Sequence, residues 1–285
     1  MANLKDIRNR IKSVKNIQKV TKAMKMVAAA KMRRAEERME EARPYAQRLQ
    51  SVISHLLPDV ERELLNLLHV RPVSRTAYVV VTSDRGFAGS FNSNVLKKAQ
   101  SEIDEIGKNH VDIFCIGKKA RDHFKRRDYT IIESHTEFWS ELSFGDAIQI
   151  GKGIIGHFTD ERVDEIHVVY NEFINVATQY AESEKLLPLE FSDEDYSHPE
   201  RLYEPDKNQL VQSLIPRHLN IQIWKYLLES YASEQAARMV AMENATENAE
   251  EMIKDLTMQF NKARQAAITK EILEIVGGAE ALKQT

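Results

Sequence analysis

The chain has 285 residues, with 40 Lys and Arg against 43 Asp and Glu, so its net charge is only −3 and its partners must be sought in how that charge is distributed. No run of about eighteen apolar residues exists to span a membrane, and the opening MANLKDIRNRIKSVKN lacks the apolar centre of a secretory signal. Ten Gly and seven Pro beside 29% charged residues favour long helices, and a single cysteine, Cys115, forbids an internal disulfide.

The first segment runs from about Asn3 to Leu57 and contains no Gly. Ile7, Ile11, Val14, Ile17, Met24 and Val27 recur at steps of three and four, with Val20 close to the same face. That is helical periodicity. At 1.5 Å per residue such a helix approaches ~80 Å. Pro44 should kink it or mark a change of neighbour. Up to Arg34, eleven Lys and Arg stand against Asp6 alone. This basic, amphipathic pattern outruns any transit peptide, so it reads as mature protein.

The middle segment changes period. AYVVVTS (77–83), VDIFCIG (111–117), TIIES (130–134) and EIHVVYNEF (165–173) read as strands. Between them SNVLKKAQSEIDEI, KKARDHFKRR and a stretch near 145–159 read as helices. Alternation of this kind predicts a mostly parallel sheet with helices packed on it. Cys115 lies inside the second strand as a small core residue. The polar stretch SDEDYSHPERLYEPDK leads out of the domain as a loop.

The last segment, from about Lys207, has neither Gly nor Pro between Pro216 and Gly277. Ile221, Trp224, Leu228 and Tyr231 open a seam that Met242, Ala245, Ala249, Met252, Leu256 and Ala263 continue, with Gln235, Arg238 and Gln259 in register. The repeat is heptad-like and rich in Ala, which suits a thin coiled coil. The two terminal helices are expected to pair antiparallel, the last one longer by about fifteen to twenty residues. The pair Gly277–Gly278 is a place for it to stop or loosen. The expected division is 1–69, 70–206 and 207–285.

Two glycine-containing stretches invite a cofactor reading. GKGIIG (151–156) fits a dinucleotide fingerprint by letter but falls late in the domain, inside a helical stretch, where small residues more simply allow close packing. SDRGFAGSFN (83–92) follows the first strand, where phosphate cradles sit, but it lacks the Lys-Ser/Thr ending and carries Asp84. It reads either as a small-ligand loop or as a tight turn, with Asn92 or Ser93 capping the next helix. The nine His show no metal-ligand spacing, and no nucleophile elbow occurs. The basic first helix has no interleaved aromatics for stacking on bases, so acidic protein surfaces suit it better than nucleic acid.

IKSVKNIQKVTKAMKMVAAAKMRRA (11–35) resembles the N-terminal helix of the γ subunits of F-type ATP synthases. Residues 232–282, ending in the I-T-x-E-I-x-E-I-V pattern, resemble their C-terminal signature. TSDRGFAGSFN is similar to their first-strand loop, with Phe87-Ala88 where the family usually carries Leu-Cys. The resemblance implies an α/β fold, a long antiparallel coiled coil of N- and C-terminal helices plus a Rossmann-like α/β domain. It implies a non-catalytic central-stalk rotor without cofactor or metal, peripheral on the cytoplasmic side of a bacterial plasma membrane and not inserted in it. The implied partners are the alpha and beta subunits of the hexamer, the epsilon subunit and the membrane c-ring.

The same resemblance assigns contacts. Met24 would face the lever of a β subunit, with Lys25 and Arg33 or Arg34 meeting acidic residues there. Arg264 and Gln265 would bond a β-subunit loop, and Tyr203 and Glu204 would touch the c-ring and ε. Two rivals make other demands. A nucleotide-using α/β enzyme would bind ligand at 84–92 or 151–156, and a coiled-coil tether would work without any ATPase ring.

Overall fold

The computed structural model describes residues 4–60, 65–191 and 206–283. The terminal helices are α1, Leu4–Leu56 with 53 residues, and α5, Lys207–Lys283 with 77. Both run unbroken through a proline, Pro44 and Pro216, each giving up one backbone donor. Beyond Pro44, Leu49, Ile53 and Leu56 enter the main core, so the proline coincides with a change of neighbour. α5 does not stop at Gly277–Gly278 but continues to Lys283. It exceeds α1 by 24 residues (77 minus 53), more than expected, because it starts before Pro216 and carries through the glycines.

The described residues form two units. One takes 1–27 and 239–285, the other 28–238. In the first, the helix segments run antiparallel. The Arg8 guanidinium lies 5.5 Å from the Phe260 ring, the Thr21 and Thr246 hydroxyls are 2.7 Å apart, and Lys25 meets Glu243 at 2.5 Å. As the number rises on α1, the number opposite falls by nearly the same amount.

The buried and half-buried row of α1 in this unit is Ile7, Ile11, Val14, Gln18, Thr21 and Lys25. This corrects the expected seam: Ile17, Val20 and Val27 face outward, 54%, 57% and 56% exposed. On α5 the inward row is Met242, Thr246, Ala249, Ile253, Leu256, Phe260 and Ala263, so Met252 and Gln259 leave the seam. Two adjacent rows on each helix carry apolar residues, and counting steps of three and four cannot choose between them. Packing chose the row with a strict 3.5-residue repeat, which stays opposite its partner along a supercoil.

The second unit holds a five-stranded sheet in the order β3-β2-β1-β4-β5. Its strands are β1 (Thr76–Val81), β2 (Val111–Ile116), β3 (Ile131–His135), β4 (Glu165–Phe173) and β5 (Gln179–Leu187). The first four are parallel neighbours and β5 is antiparallel to β4. β1 and β2 are buried at every position, as central parallel strands covered on both faces must be. Sequence reading missed β5. QYAESEKLL has no apolar alternation, and its strand state comes from pairing with β4 along an edge.

Helices α2 (Phe91–Ile106) and α3 (Lys118–Lys125) cover one face. α2 buries Phe91, Val95, Ala99 and Ile103, one row at four-residue steps. On the other face α4 (Phe144–Thr159), α1 and α5 share the larger core. The α4 N-terminus is held by the Asp146 carboxylate, which accepts the Ser143 backbone N–H at 2.8 Å.

Candidate partner-binding site

A sheet of this order reverses direction between β1 and β4, and α/β proteins bind ligands in the crevice beyond the strand ends there. Here the chain fills that place itself. On β4 the Asn171 N–H donates to Ser230 Oγ of α5 at 3.3 Å, and Ser233 Oγ donates to the Asn171 carbonyl at 3.3 Å. Arg238 donates to the Gly86 carbonyl at 3.0 Å and pairs with Glu234 at 2.7 Å. Glu234 is pushed up by burial and only partly pulled back by Arg238, a pair in which Glu234 is buried and Arg238 half-buried.

The 83–92 loop is a tight, self-satisfied turn. Asp84 accepts the backbone N–H of Lys118 and of Glu137, both at 2.8 Å. Asn92 does not cap α2; its Oδ1 accepts the Ser83 N–H at 3.0 Å, and the helix starts behind Ser90. Ser93 returns its hydroxyl to the Ser90 carbonyl. At the tip, Phe87 sits at φ 61 and is 79% exposed. A bulky side chain at positive φ is a strained backbone position, held here by the braced loop.

The GKGIIG glycines lie inside α4, and two of them serve packing. A side chain at Gly151 would collide with the Asn220 amide of α5, and one at Gly153 with the Glu133 carboxylate of β3. Glu133 accepts His135 Nε2 at 3.0 Å and lies 3.4 Å from His157 Nε2. The small residues thus let α4 approach α5 at Gly151 and the sheet at Gly153.

The residues assigned by resemblance are spread along the helices. Met24 is half-buried beside the seam, and Lys25 is on it, paired with Glu243. Arg33 and Arg34 are exposed on α1, and Arg33 has no hydrogen bond or ion pair among the described residues. Arg264 and Gln265 are exposed on α5 with no polar partner among the described residues. By register, α5 opposes Lys25 at Glu243, so Arg264 lies roughly 30 Å further along the helix. Tyr203 and Glu204 lie outside the described residues.

The structure adds surfaces that periodicity did not expose. α1 is described from Leu4, and among the described residues α5 beyond Ala263 has no helix opposite it. There Ile268, Ile272, Leu273, Ile275 and Val276 are exposed in an apolar row. The outward row Ile17, Val20 and Val27 is a second such surface, and Phe87 a third. One signal was available: α1 carries two apolar rows, one more than a two-helix pair can bury.

Comparison with known proteins bears on what such surfaces are for. The family model described as ATP synthase matches residues 3–282. A protein of Prosthecochloris aestuarii named ATP synthase gamma chain is 46% identical, with the whole of both chains covered. The gamma chain of Desulforamulus reducens is 44% identical over 99% of this chain and all of its own. Among solved structures, a chain of the Tetrahymena thermophila mitochondrial ATP synthase central stalk and c-ring is 25% identical. It aligns with a TM-score of 0.64, covering 79% of this chain and 99% of its own. A chain of the Euglena gracilis mitochondrial ATP synthase, 21% identical, shares the fold with a TM-score of 0.69 over 98% of this chain and 94% of its own. The chain belongs to the ATP synthase family, among its gamma chains.

Proposed function

We propose that this chain turns as the central-stalk rotor of an F-type ATP synthase, linking ion-driven rotation of a membrane ring to the nucleotide sites of an alpha/beta hexamer. As a gamma chain it is a non-catalytic subunit. The observation that carries the reading is the end of α5: beyond Ala263 its apolar row is exposed and, among the described residues, has no helix opposite. A row of this kind suits enclosure by an apolar sleeve formed by other subunits.

The mechanism follows from differential contact. The helix pair presents different chemistry around its circumference: cations of α1, the apolar row of Ile17, Val20 and Val27, and the acidic positions of α5. Three β subunits around such a pair meet three different faces. Each face favours one β conformation, so rotation moves every site through the same cycle of affinities. In this reading Met24, Lys25 and Arg33 or Arg34 work against the β levers, and Arg264 and Gln265 hydrogen-bond a β loop. Tyr203 and Glu204 serve the c-ring and the epsilon subunit. Among the described residues no helix is long and apolar enough to cross a membrane, which is compatible with a peripheral subunit at the cytoplasmic face of a bacterial plasma membrane.

The test is ATPase activity of purified alpha and beta subunits with and without this chain. A stable complex of three alpha, three beta and one copy of this chain, active while the chain alone is inert, supports the rotor. Turnover by the isolated chain, or failure to join the hexamer, overturns it.

A further inference from the structure

The contact between α5 and the β4–β5 hairpin is built from carboxyl and phenol groups in unequal states. Glu184 of β5 is fully provided for. Tyr170 of β4 donates to its Oε1 at 2.5 Å, and Tyr226 of α5 donates to its Oε2 at 2.8 Å. Each carboxyl oxygen thus accepts one hydrogen bond. Burial and Glu184 push both phenols above their ordinary range, so they remain donors. Their rings lie 4.6 Å apart and close the site from the core side.

Glu229 stands one turn beyond Tyr226 on α5 and is treated differently. Its side chain is 13% exposed, and its Oε2 is buried with no hydrogen-bond partner. Its Oε1 is 3.9 Å from Lys225, too far for a hydrogen bond. The remaining charges around it are Glu172 of β4, Glu184 of β5 and Arg43 of α1. Burial disfavours the ion first, the two glutamates add repulsion, and Lys225 and Arg43 offset only part of this. The carboxyl is pushed up to about 7. A buried carboxylate oxygen without a donor is costly, whereas a carboxylic acid there is tolerable.

We propose that Glu229 is a proton-operated catch, seating α5 on the β4–β5 hairpin when protonated and loosening that contact when ionised. The sign is set by linkage. The packed state binds the proton more tightly than an opened one, so the contact is firmest below the ordinary carboxylate range. It weakens as pH rises and stops weakening above about 7. Neutral pH therefore lies on the slope. The inference goes beyond the rotor reading and stands without it. In a rotor, the same proton would set how firmly the α/β domain holds the helix that leaves it.

The experiment is hydrogen exchange on the full chain, following amides of 179–187 and 224–231 with intrinsic exchange corrected. Between about pH 6 and about pH 8.5 the wild type should lose roughly tenfold in protection at these amides. Glu229→Gln, which keeps the volume and cannot ionise, should lose none. Glu172→Gln, at a half-buried site, removes one repelling charge and should shrink the loss. It also decides the matter if Glu229→Gln does not fold. Flat protection in the wild type, or an undiminished loss in either folded variant, overturns the proposal.

Discussion

The Lys25 ammonium and the Glu243 carboxylate meet at 2.5 Å across the antiparallel helices, at a position where a two-helix seam would ordinarily be apolar. The pair is 37% and 44% exposed, so water screens it and its net worth is small, about 0.2–1 kcal/mol. Its larger effect is on register. Shifting one helix along the other would leave Lys25 against Thr246 or Met242 and strand both charges. A double-mutant cycle with Lys25→Glu and Glu243→Lys should show both single variants less stable in thermal unfolding. The exchanged pair should recover most of the loss. Additive single losses would mean that the pair carries no register information.

The three glycines of GKGIIG should respond differently to alanine. A side chain at Gly156 meets nothing, and its φ is unexceptional, so Gly156→Ala should gain about 0.5–1 kcal/mol from helix propensity. Gly153→Ala has the same intrinsic gain but displaces the Glu133 carboxylate from His135 and His157. Losing those contacts at a poorly exposed site should outweigh propensity by about 1 kcal/mol. Thermal denaturation of the two variants should give shifts of opposite sign.

His218 gives the acid limb of stability. Burial alone pushes it down to about 4, and its Nδ1 has no hydrogen-bond partner. Its folded value lies below the ordinary histidine value. Its contribution is therefore complete above about pH 6.5 and is lost as pH falls toward 4. His218→Gln should flatten the dependence of the unfolding midpoint on pH in that window. It should change little near pH 8, where wild-type His218 is neutral.

The exposed row of α5 separates assembly from folding. Ile272→Asp and Leu273→Asp touch no buried neighbour and should shift the melting temperature of the isolated chain by less than about 0.5 kcal/mol equivalent. Under the rotor reading they should still weaken association with the alpha/beta hexamer by tenfold or more. Sedimentation of the mixed subunits reads the second effect and calorimetry the first. Unimpaired assembly would remove the tip from the contact surface.

The secondary structure was legible wherever period and length agreed. The long helices, the buried strands β1, β2 and β4, and the alternation that makes a parallel sheet all followed from local pattern. Tertiary pairing alone decided the rest. β5 carries Glu182, Glu184 and Lys185 in a short, mostly polar run, and only β4 beside it makes that run a strand. The α1 seam could not be chosen from α1. Its more apolar row, Ile17, Val20 and Val27, lost to Gln18, Thr21 and Lys25, because Glu243, Thr246 and Ala249 of α5 complement the smaller, more polar one.

By itself, then, the amino-acid order determined two long helices flanking an α/β domain along the chain, and it carried the motifs that mark the family. Periodicity and helix propensity are properties of neighbours within a few residues, and they need no third dimension. Which row faces inward, which glycines yield to a neighbouring side chain, and why Glu229 is left without a donor while Glu184 has two are relations between distant segments. Each was decided by what packing set opposite, since burial and charge act through space and not along the chain.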